Sequence, residues 1–179
     1  MNDPLALFLE WHGQAGPNAD IVALATATKF GRPSVRMVFY RGVREGGLSF
    51  FTNYDSRKGI ELAENPFAAM VFYWPELGKQ VRVEGAVERL SDAESDVYFA
   101  SRPLESRISA IASRQSRKVP GGVEPIWEVP EPISRPYYWG GFKLAPEAFE
   151  FWTRGEHRRH LRMQYTKRGE VWTAIRLFP

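Results

Sequence analysis

The sequence predicts a mainly β fold, a β-barrel with short helical additions. Three observations carry this expectation. Runs of β-branched and aromatic residues recur from Ile21 to the C-terminus, each bounded by Gly, Pro, Asn or Asp. One of them, QVRVEGAVERL, alternates apolar and polar residues along its whole length. The helix signals between these runs are short, an order of elements that favours a barrel over a parallel doubly wound sheet. At 179 residues, with 44% hydrophobic and 14% aromatic residues, the chain is expected to form one domain over 1–179 with a sizeable core.

From Pro4 to Trp11 the spacing puts Leu5, Phe8 and Leu9 on one helical face, with Gly13 and Gly16 closing an N-terminal helical segment over 1–16. IVALATATK and SVRMVFYR read as two strands of a hairpin joined through Phe30-Gly31-Arg32-Pro33. After Arg44-Glu45-Gly46-Gly47, LSFFTN supplies a third strand. Ser56 is placed to cap a helix over Arg57 to Glu64, and Asn65-Pro66 stops it because proline disfavours helix at the preceding residue. FAAMVFYW, continuous and apolar between Pro66 and Pro75, suits a buried strand. QVRVEGAVERL then puts Val81, Val83 and Val87 on one face and Arg82, Glu84, Ala86 and Glu88 on the other.

Ser91-Asp92-Ala93-Glu94 matches a capping box and predicts a helix through Phe99 that ends before Pro103. Leu104 to Arg114 offers another, with Ile108 and Ile111 on one side. Residues 118–136, rich in proline and containing Gly121-Gly122, predict an irregular connection. YYWGGFKL, AFEFW and EVWTAIRLF return to strand patterns.

Composition excludes several classes. With no Cys there is no disulfide framework, thiol nucleophile or Cys-ligated metal, and a cytoplasmic setting is expected. His157 and His160 lack a third ligand at metal spacing, so no metal site is expected. A net charge of +3 fits small anionic ligands better than nucleic acid. MNDPLALFLEWHGQ has no leader pattern, and no run approaches the roughly 18 apolar residues of a membrane span. GxSxG, GxxxxGK[ST] and GxGxxG are all absent.

Phosphate esters are gripped by arginine forks, lysines, hydroxyls and free N–H groups at a helix start, and Ser56-Arg57-Lys58-Gly59 offers all four. Two cations in a first turn oppose the helix dipole, which weakens the alternative of an ordinary solvated turn. Arg36 and Arg41, five apart, face opposite sides of a regular strand. Gln80 opens a strand where its amide could meet a ring carbonyl or ring nitrogen, although such a Gln is more often surface. Tyr98, Arg102 and Ser106, four apart, share a face if the helical rise passes the Pro103 break. An inward Tyr beside a solvated Arg is the plainer alternative. Arg158, Arg159, His160 and Arg162 form a basic cluster, anion cap or surface turn.

Taken together, FTNYDSRKGIEL, NPFAAMVFYW, QVRVEGAVERLS, ESDVYFASRP, SRQS, WGGF and FEFW followed by GEHRRH resemble the pyridoxamine 5′-phosphate oxidase family over almost the whole chain. The resemblance implies the FMN-binding split barrel. It implies FMN contacts from Arg36, Met37, Val38, Phe39 and Arg41, from Phe51, Thr52, Arg57 and Lys58, and from Gln80, Gln115, Ser116, Trp152 and Arg162. For the substrate, a phosphorylated B6 vitamer, it implies Arg41, Tyr98, Arg102 and Ser106, with Arg158 and His160 as the catalytic pair over the pyridine ring. It further implies a homodimer with FMN at the interface, hydride transfer from C4′ of the vitamer to flavin N5, and reoxidation by O2 to H2O2. Arg41 stands where the family shows Lys, and Arg107, Ser109 and Ile111 depart from its SQIGAW pattern. These departures keep open a related FMN oxidase with another substrate, as in phenazine biosynthesis, or a flavin- or pyridoxal phosphate-binding protein without turnover.

Overall fold

The structure is a computed structural model that describes residues 3–119, 127 and 131–179. Part of the 118–136 connection therefore lies outside the described residues; its described residues are neither helix nor strand. Helix α1 (Pro4–Gln14) leads into strands β1 (Ile21–Ala27), β2 (Pro33–Phe39), the two-residue β3 (Val43–Arg44) and β4 (Gly47–Asn53). Helix α2 (Arg57–Glu64) precedes β5 (Phe67–Trp74) and β6 (Lys79–Arg89), and helices α3 (Asp92–Ser101) and α4 (Leu104–Ala112) precede β7 (Trp139–Thr153), β8 (Leu161–Arg168) and β9 (Val171–Leu177). All the pairings are antiparallel, in the order β2-β1-β5-β6-β7-β4-β3, with β8 and β9 joining along β7.

Strand β7 explains the split. The patterns YYWGGFKL and AFEFW suggested two strands, yet they are the two halves of one. Trp139 to Leu144 pair with β4, Ala148 to Thr153 pair with β8, and β6 runs beside both halves. The change of partner falls at Pro146, which has no N–H to give a ladder and sits opposite Gly85, where the β6 register slips after Glu84. A Cβ on Gly85 would lie 1.9 Å from the Ala145 carbonyl oxygen, so only glycine allows the close approach. LRMQYTKR, which carries no strong strand signal, becomes β8 because β7 and β9 flank it.

The core lies inside the curled sheet, where Val22, Leu24, Leu48, Phe50, Met70, Phe72, Val81, Val83, Leu144 and Phe149 are fully buried. Helix α1 plugs it. Phe8 meets Phe72 and Tyr40 edge-on at 4.9 and 5.6 Å between ring centroids, a favoured aromatic geometry. The buried face of α1 is Pro4 and Phe8 with Leu5, Leu7 and Trp11, and Leu9 points to solvent. Consecutive residues differ by about 100° on a helix, which carries Leu9 off the stripe that Phe8 defines.

FAAMVFYW likewise departs from expectation, since Met70, Phe72 and Trp74 are buried while Phe67 and Tyr73 are exposed. The strand is covered on one side only. With Val35, Met37 and Phe39 of β2 also exposed, the outer face of the sheet is broadly apolar. Such a face is what a subunit interface requires.

Phe8→Ala is expected to destabilise the chain by about 3 to 5 kcal/mol, and Leu9→Ala by less than about 0.5 kcal/mol, measured as denaturant midpoints at unchanged slope.

Candidate active site

Helix α2 starts the site. Ser56 accepts from Gly59 N–H, as its capping position predicts, and its hydroxyl donates to the Asn53 carbonyl at 2.6 Å. Gly59 is required there, because a Cβ would stand 2.1 Å from the Tyr54 carbonyl oxygen. This tight turn buries Lys58, only 6% exposed, and points its Nζ at Thr52 Oγ1 (2.9 Å), Ser56 Oγ (3.3 Å) and Gln115 Oε1 (3.4 Å). No carboxylate joins them among the described residues. Burial, and secondarily the positive charge of Arg36, pushes the ammonium pKa down to about 8.

Lys58 lines a cavity of about 560 Å³, in the range usual for small-molecule sites. Met37, Val38, Phe39 and Arg41 border it from the β2 side, Phe51 and Thr52 from β4, and Tyr98, Arg102, Ser106 and Gln115 from the helical side. Tyr98 stacks on Phe51 at 3.8 Å and lies parallel to Trp139 at 6.3 Å, and the Arg102 guanidinium stands 4.7 Å over the Trp139 ring. Arg102 caps α3 with extended backbone, and α4 restarts after Pro103. The helical rise therefore does not pass the break, yet Tyr98, Arg102 and Ser106 all border the same cavity.

Arg102 Nη1 is buried without a hydrogen-bond partner among the described residues, and burial lowers the pKa of this guanidinium. An unsatisfied buried cation facing a cavity fits an anionic ligand. Arg41 reaches the same cavity from just beyond the end of β2, held by Asp20 at 3.1 Å and stacked over Phe39 at 4.7 Å.

Arg36 and Arg57 take a different course. Both bind Glu61, which is 3% exposed. Glu61 Oε1 accepts from Arg57 Nε at 2.9 Å, and Oε2 accepts from Ser34 (2.5 Å), Thr26 and Arg36 Nη2 (3.4 Å). Burial alone raises the carboxyl pKa, but the hydrogen bonds from Ser34, Thr26 and Arg57 outweigh it and bring it down to about 2. Arg36 is thus turned inward and does not line the main cavity, while Arg57 and Ser116 border an adjoining hollow of about 580 Å³.

The remaining candidates lie elsewhere. Register places Tyr73, Gln80, Trp152 and Arg162 side by side in one row across β5, β6, β7 and β8, on the outer face of the sheet. The His160 ring is 4.7 Å from that of Trp152. His160 Nδ1 accepts from Gly155 N–H, so Nε2 carries the proton of the neutral ring. His157 and Arg158 hold left-handed backbone (φ 50° and 62°) in the turn before it. Buried Glu150 accepts from Arg162 Nε at 2.8 Å and stands 3.0 Å from Arg82 Nη2. None of Gln80, Trp152, Arg158, His160 or Arg162 lines the cavity that holds Lys58 and Arg102. Sequence reasoning passed over Glu61 and Glu150. The position of Glu61 four residues after Arg57 was the available signal for the first, and the alternation of FEFW, which puts Glu150 opposite two core phenylalanines, for the second.

A split antiparallel sheet with an aromatic-walled cavity, a buried lysine and an unpartnered arginine defines a β protein built to hold anionic, ring-bearing ligands. Residues 14–126 match the family described as pyridoxamine 5′-phosphate oxidase, and residues 139–179 match the pyridoxine 5′-phosphate oxidase C-terminal dimerisation region. The pyridoxine/pyridoxamine 5′-phosphate oxidase of Rhodospirillum rubrum is 48% identical, with 99% of this chain and 96% of that protein covered. That of Coxiella burnetii is 45% identical over 100% and 97%. The crystal structure of PhzG from Burkholderia lata, in complex with tetrahydrophenazine-1-carboxylic acid, superposes with a TM-score of 0.90 at 28% identity over 100% of this chain and 94% of that one. A pyridoxamine 5′-phosphate oxidase-related, FMN-binding protein of Nostoc punctiforme shares the fold, with a TM-score of 0.78 at 21% identity over 98% and 96%. The chain belongs to the pyridoxamine 5′-phosphate oxidase family.

The depressed Lys58 pKa gives a signed expectation. Its folded value lies below the unfolded 10.5, so keeping it charged costs stability below about pH 8, and the cost is relieved as pH rises from about 8 to 10.5. Anion binding runs the opposite way. Affinity for sulfate, whose charge is constant here, is expected to fall by up to about tenfold per pH unit above pH 8, and Lys58→Met to remove that dependence, measured by calorimetric titration.

Proposed function

We propose that the chain is an FMN-dependent oxidase that converts pyridoxamine 5′-phosphate or pyridoxine 5′-phosphate to pyridoxal 5′-phosphate, with O2 as acceptor. The observation that carries this reading is the pair of separate anion-seeking groups on one aromatic-walled cavity. Lys58 with Thr52 and Gln115 is one, and Arg102 with Tyr98 and Ser106 is the other. Two phosphorylated ligands need two such groups. The relatives covered over 96% and 97% of their length, named as oxidases of these vitamers, support the same assignment.

Lys58, Thr52 and Gln115 hold the FMN phosphate, with Arg57 and Ser116 closing on it from the neighbouring hollow. Met37, Val38 and Phe39 offer the edge of β2 to the ring system, and Arg41 and Phe51 flank it. When bound, FMN supplies the two-electron acceptor that takes hydride from C4′ of the vitamer and passes the electrons to O2, giving H2O2. The chain's own part is binding, orientation and exclusion of water. Arg102 and Ser106 grip the vitamer phosphate and Tyr98 closes over it. These contacts fix C4′, and fixing a reacting atom is what positioned side chains contribute to rate.

Gln80, Trp152, Arg158, His160 and Arg162 lie outside this cavity, and all but Gln80 fall in the match with a dimerisation region. In a homodimer with FMN at the interface they reach the partner's cavity, His160 donating from Nε2 and Arg158 placing its charge over the pyridine ring. The chain works as one domain over 1–179, and a cytoplasmic setting agrees with the absence of Cys.

Aerobic incubation of the FMN-loaded protein with either vitamer phosphate is expected to form pyridoxal 5′-phosphate with matching O2 uptake. Arg102→Ala should raise KM by about tenfold or more, the scale of a lost charge-assisted contact, while the flavin stays bound. Failure to convert either vitamer, with FMN bound, overturns the substrate assignment in favour of another reductant. The resemblance to PhzG and the Arg41–Asp20 pair favour that second reading.

A further inference from the structure

We propose that Glu61 is the positioning residue of the phosphate clamp: one buried carboxylate that holds Arg57 and Arg36 and so presents the terminal fork of Arg57 to the hollow it shares with Ser116. The inference rests on the reading of Lys58, Arg57 and Ser116 as an FMN phosphate site.

The geometry carries it in three steps. Glu61 follows Arg57 by one helical turn, and its Oε1 takes the arginine's Nε rather than its terminal nitrogens. A guanidinium is rigid and planar, so fixing Nε fixes the plane while both Nη groups stay available. Neither of those Nη groups has a hydrogen-bond or ion-pair partner among the described residues, and the Arg57 side chain, 63% exposed, lines the hollow together with Ser116 and Arg117. That leaves a two-pronged donor of the kind that grips phosphate.

The second oxygen does the complementary task. Glu61 Oε2 draws in Thr26 of β1 together with Ser34 and Arg36 of β2. Arg36 completes its contacts with the Leu24 carbonyl at 3.1 Å and Thr26 Oγ1 at 2.6 Å, all directed inward. Glu61 therefore stands between two like charges and ties α2 to the β1–β2 hairpin. Lys58, the next residue after Arg57, faces the main cavity from the same helical turn. Glu61 thus engages Arg36 and leaves the Arg57 fork free on the same helical turn as Lys58.

A purely structural staple and a positioning residue predict different binding. The discriminating quantity is the ratio of the riboflavin Kd to the FMN Kd of the apoprotein, measured by quenching of flavin fluorescence, because only FMN carries the phosphate. Glu61→Ala is expected to lower that ratio by about tenfold with riboflavin binding unchanged, the scale of a charge-assisted contact. Glu61→Gln keeps an acceptor of the same reach and is expected to restore most of the ratio. Should the alanine variant not fold, Glu61→Met keeps the length, removes the acceptor and serves the same comparison. An unchanged or increased ratio in the alanine or methionine variant overturns the proposal. A wild-type apoprotein that binds FMN no better than riboflavin overturns instead the phosphate-site reading beneath it.

Discussion

The arrangement depends on keeping an ammonium group charged where water has been largely removed. Lys58 is buried without a carboxylate partner among the described residues, and an isolated buried cation is costly unless the fold surrounds it with oxygen. Three elements supply that oxygen: the end of β4 through Thr52, the cap of α2 through Ser56, and the segment after α4 through Gln115. Each has to arrive correctly for the others to make sense. The capping hydroxyl, the glycine that lets α2 rest on the Tyr54 carbonyl, and the β4–β7 pairing that fixes Thr52 all serve one point in space.

Charge is sorted around that point. Arg36 and Arg57 are adjacent cations that by themselves would repel, and Glu61, one charge against two, bridges them from inside, while Lys58 and Arg102 have no carboxylate partner among the described residues. Lys58 and Arg102, both perturbed by burial, face one cavity, which is the pattern by which perturbed groups mark function. On the outer face a similar economy holds, with Glu150 drawing in Arg82 and Arg162 beside Trp152.

Much of this was legible in the sequence where a local rule decides the outcome. The Ser56 cap, the Asn65-Pro66 stop, the Ser91–Glu94 capping box and the alternation of Val81, Val83 and Val87 all took the conformations their neighbours dictate. Tyr98, Arg102 and Ser106 meet at one cavity, although the helix that was to align them breaks at Arg102 and Pro103. What escaped is what tertiary pairing decides. Leu9 was assigned to the buried face by spacing, but Phe8 sets the contact. Two strand patterns fused into β7 because Gly85 makes room for Pro146, and β8 exists because of its neighbours. The site residues split into two groups because register, invisible in a linear chain, gathers Gln80, Trp152 and Arg162 into one row away from the cavity. Glu61 was hidden for the same reason, since its partners Thr26 and Ser34 lie far from it in the chain.

In the proposed homodimer, one catalytic site is assembled from the Lys58 cavity of one chain and the Trp152 row of another. The direct measurement is activity after mixing two variants, Lys58→Met and Arg162→Ala, each inactive alone, with differently tagged copies used to verify subunit exchange. Activity is expected to return, because every mixed dimer contains one site with neither substitution. Mixed dimers that form and remain inactive contradict it.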